Sequence, residues 1–169
     1  MLHSQINRGP AMHRRALPDC EQVMLDAMRL WARAAMSGEQ HYLMELKSHL
    51  ATFAGANRAE VLMSRLSDYL RSLDSCRPTP LRMYPKGARE ICRDEALILS
   101  LVAGVQNGNE STIAICLDCL TCPSCSPRIL QAAEILATYL SLSQKKLLPV
   151  DVSVMRDILT RDISTPTLQ

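Results

Sequence analysis

Apolar residues recur through most of this chain at intervals of three and four, the spacing that lines one face of an α-helix. Met24, Met28, Trp31 and Ala35 mark the first such stripe, opened by Pro18 and Asp19 and closed by Gly38. Leu43, Leu46 and Leu50 predict a second helix over about residues 40–53, ended by Gly55. Asn57 followed by Glu60 predicts a capped start for a third, with Val61, Leu62, Leu66, Tyr69 and Leu70 as its apolar face. The short gaps between the three predict packed neighbours.

Residues 72–91 break the pattern, because Pro78, Pro80, Pro85 and Gly87 stop a continuous helix and most strand pairings. They predict a long connection. Asp94 and Glu95 then open a strongly apolar helix to about residue 106, with Asn107-Gly108-Asn109 as its stop. A short helix follows over 110–120. Ser126 as a cap and Pro127 in the first turn start the next, lined by Ile129, Ala133, Leu136 and Leu140, and a last helix over 151–161 turns Val152, Met155 and Leu159 inward. No alternating strand pair with hairpin turn chemistry and no internal repeat is present. The expectation is all-α: a single compact bundle-like domain of about six to seven helices over residues 18–169, with a possible subdivision near 74–92.

A length of 169 residues suffices to bury about 70% of the surface the unfolded chain exposes. Neither metal nor disulfide is needed merely to fold. Apolar residues at 47% and charged residues at 21% exclude pervasive disorder and a fibrous class. With nine Met against one Phe and one Trp, the core is expected to be aliphatic and adaptable. The longest apolar run, residues 96–105, is too short to cross a bilayer, so no membrane association is expected. Residues 1–17 carry Arg8, Arg14 and Arg15 without an acid or a following apolar segment, which reads as a flexible basic arm rather than an export signal.

Seven cysteines without an export signal point to a reducing, cytoplasmic setting and to free or metal-bound thiols. Four of them, Cys116, Cys119, Cys122 and Cys125, follow one another at intervals of three. Thiolates are strong ligands for zinc and iron, so these four are the candidate metal ligands. The run departs from that of bacterial ferredoxins and does not support such an assignment: the last interval is one residue short, Ser126 separates the last cysteine from Pro127, and no second run exists. On a helix, steps of three also spread four side chains over about half the circumference. Pro123 allows two or three thiolates to gather at a turn, with Cys20, Cys76 or Cys92 supplying the remainder. The preferred expectation is small core residues and no cofactor, with zinc or an iron–sulfur cluster as the alternative.

His41, Glu45 and His49 share one helical face within about 80°, but zinc on a helix favours histidines four apart, and a solvated face is the simpler account. Charge is uneven: residues 1–93 hold fourteen basic and nine acidic side chains, residues 94–169 five and eight, so the halves carry +5 and −3. Arg77, Arg82, Lys86, Arg89 and Arg93 are therefore candidates for binding a polyanion, including nucleic acid, although a total of +2 and few aromatics weaken that reading. No nucleophile elbow, phosphate loop, dinucleotide fingerprint or zinc-protease motif is present. The functional expectation is thus a non-catalytic helical protein acting through contacts with another protein or with itself, as an adaptor, regulator or assembly subunit. Trp31, Tyr69 and Met83 are its candidate anchors.

Overall fold

The computed structural model describes residues 12–13 and 19–162 of the protein; apart from residues 12–13, the expected basic arm lies outside the described residues. Among the described residues there are seven helices: α1 (Asp19–Ser37), α2 (Gln40–Ala54), α3 (Ala56–Asp74), α4 (Arg93–Asn107), α5 (Glu110–Leu120), α6 (Ser126–Leu142) and α7 (Val152–Asp162). The fold is all-α and bundle-like. The one extended pairing among the described residues joins β1 (Met12–His13) to β2 (Glu90–Ile91), antiparallel, with Met12 opposite Ile91. Two residues per strand are too few to leave an alternating pattern in the sequence.

Local chemistry explains the boundaries. Gly55, at φ 91°, ends α2 through its N–H to the Ala51 carbonyl at 2.8 Å and also precedes α3 directly, so the cap position falls on Gly55, two residues before the expected Asn57, which lies inside the first turn of α3. A reciprocal cap forms instead on α4, where the Glu95 carboxylate accepts the Cys92 N–H at 2.9 Å. Asn109 caps α5 by accepting the Thr112 N–H at 3.1 Å. Pro127 occupies the first turn of α6.

Helices α1 and α4 lie at the centre: ten residues of each are buried, against two of α2. α4 packs against α1, α5, α6 and α7, while α3 lies on α6 and α2 bridges α1 and α3. One cluster of buried side chains runs from Met24 through Leu66, Leu101 and Leu136 to Met155. Where α4 meets α5, Gly104 has no room to spare, since a Cβ there would stand 3.2 Å from Ile113. Beyond α6 the chain is strapped to α4: Gln106 donates to the Lys145 carbonyl and accepts the Leu147 N–H, and Asn107 donates to the Leu147 carbonyl. No described helix is long and apolar enough to cross a membrane.

Candidate functional site

The four-cysteine run is divided by the end of α5. Cys116 is completely buried beside Leu120, and Cys119 is half-buried on the next turn. Cys122 and Cys125 lie past the helix end, where the Cys125 N–H donates to the Cys122 carbonyl at 3.0 Å and the Ser126 N–H does so at 3.1 Å. Pro123 thus sits in a tight turn leading into α6. Packing of α3 on α6 brings in Cys76, just beyond the end of α3. The Cys125 thiol interacts with both Cys76 and Cys122, each of which shifts its acidity. Of the three remote partners considered from sequence, Cys76 is the one that arrives.

Arg128, in the first turn of α6, completes the group by donating from Nη2 to Ser75 Oγ at 2.9 Å and to Cys76 Sγ at 2.8 Å. These contacts set the acidity of the thiols. The Ser124 hydroxyl, 3.2 Å away, together with the Cys125 thiol and N–H, holds exposed Cys122 down to about 7. Burial acts to raise Cys76, but the Cys125 thiol and the Arg128 guanidinium outweigh it, so the net shift is downward. Cys125, between two neighbours that ionise first, is pushed up to about 11. Elsewhere burial dominates, raising Cys116 and Cys92 to about 12 and Cys20 to about 11. Among the described residues no group of three or more His, Cys, Asp or Glu side chains is placed to hold a metal ion.

The basic segment is organised around two carboxylates at the start of α4. Arg29, fully buried on α1, donates from Nε and Nη2 to Glu95 at 2.7 and 3.0 Å, and from its remaining contacts to the carbonyls of Ala88 and Glu90. Glu95 accepts the Tyr84 N–H as well. Asp94 accepts from Arg77 at 3.1 Å and from the Arg82 N–H at 3.0 Å, and Lys86 is paired with Glu45 on α2. Thus Arg77 and Lys86 already hold carboxylates, Arg93 is half-buried, and Arg82 and Arg89 extend exposed side chains. Sequence reading missed Arg29. Its one signal was placement four residues after Leu25 and directly after Met28, among the apolar positions of the first helix.

Trp31 and Tyr69 are core residues, Tyr69 donating its hydroxyl to the Ile98 carbonyl at 3.0 Å, and Met83 is half-buried against the core. Exposed large apolar side chains include Met36, at 81%, near the end of α1, and Leu43 and Met44, at 42% and 72%, early in α2 across the Gly38 turn, with Leu142 and Leu148, at 72% and 58%, exposed at and beyond the end of α6. The face carrying His41, Glu45 and His49 is occupied by unrelated contacts, His41 with Glu39, Glu45 with Lys86 and His49 with the Val23 carbonyl. Compared with protein families, curated proteins and solved structures, the chain matches none.

Proposed function

We propose that this is a non-catalytic helical protein that works through protein–protein contacts in the cytoplasm, as an adaptor, regulator or assembly subunit, with the tip of the α1–α2 hairpin as its contact surface. The observation that carries the reading is the exposure of Met36, Leu43 and Met44 around a single turn, on a helix, α2, that gives the core only Leu46 and Leu50. Flexible thioethers suit such a surface because they adapt to a partner's shape. Arg33, Tyr42 and His41 frame the tip: Arg33 Nε donates to the Tyr42 hydroxyl at 3.3 Å, and the rings of His41 and Tyr42 lie 3.8 Å apart. Tyrosine and arginine are among the residue types enriched at binding hot spots. The polyanion reading is weaker on this surface because Arg77 and Lys86 already have partners.

The test compares wild type with a Met36→Glu, Met44→Glu double variant by native affinity capture and by sedimentation over a range of concentrations. The expected result is a specific partner, or a second copy, whose binding weakens at least about tenfold in the variant, corresponding to about 1.4 kcal/mol. Unchanged circular dichroism establishes that the variant is folded. A wild type that sediments as a lone monomer and captures nothing overturns the reading, as does a variant that keeps the contact undiminished.

A further inference from the structure

We propose that Cys76, Cys122 and Cys125 form a thiol–disulfide exchange site, which takes an oxidising equivalent from a small disulfide such as oxidised glutathione and keeps it as a cross-link within the chain. Three geometric observations carry this. The Cys125 N–H bond to the Cys122 carbonyl, 3.0 Å long, closes a turn of the kind that brings first and fourth Cα atoms within about 7 Å, close to the span of a disulfide. The Arg128 N–H donates to the Cys125 carbonyl at 3.1 Å, which sets Cys125 beside the residue that holds Cys76, and the Cys125 thiol interacts with both Cys122 and Cys76, so one sulfur has two possible partners. Arg128 lies 2.8 Å from Cys76 Sγ, a cation placed to favour the thiolate.

Exposure assigns the order of events. Cys122 is the exposed member and meets the small disulfide first. Its thiolate attacks one sulfur; the S–S bond breaks, one glutathione thiolate leaves, and a mixed disulfide remains on Cys122. Capping Cys122 removes one of the two neighbours that hold Cys125 protonated. Cys125 then loses its proton to solvent and attacks Cys122 Sγ, expelling the second glutathione as thiolate and forming the Cys122–Cys125 bond. The Cys76 thiolate can next attack Cys125 Sγ, moving the bond to Cys76–Cys125 and releasing Cys122 as thiolate. Cys122 is a good leaving group because its thiol is acidic. In sum, one glutathione disulfide is reduced to two thiols, two cysteine thiols become one disulfide, and the protons pass to the departing thiolates through water. The Cys76–Cys125 form would tie the end of α3 to the start of α6.

The test treats the fully reduced, full-length protein with oxidised glutathione near neutral pH, blocks free thiols and maps unreduced tryptic peptides by mass. Because Pro78 shields Arg77 from trypsin, Cys76 falls on the peptide 72–82, while Cys116, Cys119, Cys122 and Cys125 share 94–128. The expected result is loss of two thiols per chain, with 94–128 internally bonded at Cys122–Cys125 or joined to 72–82, and with Cys20 and Cys92 free. In a Cys125→Ser variant the reaction should stop at a stable glutathione adduct on Cys122. The proposal is overturned if wild type keeps all its thiols, spreads bonds to Cys20 or Cys92, or accumulates the adduct as the variant does. The wild-type map decides the matter even if the variant fails to fold.

Discussion

Arg29 and Glu95 illustrate how much one buried pair can organise. Both side chains are fully inaccessible, and the guanidinium is satisfied by two carboxylate oxygens and two carbonyls. Removing one member leaves the other charge buried alone, a loss of about 3–5 kcal/mol in comparable pairs. Arg29→Met is therefore expected to lower stability by about that amount in urea unfolding, and Arg29→Met with Glu95→Leu by less than the two single changes combined. The cysteines differ among themselves for equally local reasons. Cys122 passes from thiol to thiolate around a pH of about 7, whereas burial keeps Cys116 protonated up to about 12. Iodoacetamide labelling of Cys122 should accordingly rise as pH increases and reach half its maximal rate near 7, with Cys116 unlabelled throughout that range. Mass spectrometry resolved by residue checks both.

At the scale of elements, the helices were legible because each carries its own apolar period and its own stop signal. The limits of α2 and α5 follow the predicted ones within a residue. Long-range matters were not legible. That Cys76 rather than Cys20 or Cys92 meets the turn at Cys122 depends on how α3 lies on α6, a packing choice that no local pattern encodes. The proline-containing connection looked like a solvated basic loop, yet residues 77–92 are held through Arg77, Arg82, Tyr84 and Cys92 to the two acids that open α4. Asp94 and Glu95 read from sequence as ordinary first-turn acids favoured by the helix dipole. In the fold they also neutralise buried cations, so the same residues serve a cap and a loop. Trp31 and Tyr69 went inward because α1 and α3 use the large side chains on their inner faces for packing.

For the molecule as a whole, the opposed charges of the two halves are partly spent on each other: Arg29–Glu95 and Arg77–Asp94 both join the basic half to the acidic one. Buried side chains from both halves also share one cluster. The halves are thus expected to unfold together, so that fluorescence of Trp31, the one tryptophan, and far-UV circular dichroism report the same midpoint in denaturant. Separate midpoints would mark two independent units divided near residues 74–92. The Arg29–Glu95 bridge also constrains the order of assembly. Its partners are 66 residues apart, so neither charge gives up its water until α1 and α4 have already met. The bridge is therefore expected to form late in folding and to hold the finished fold closed, so that Arg29→Met should speed unfolding more than it slows refolding in stopped-flow kinetics.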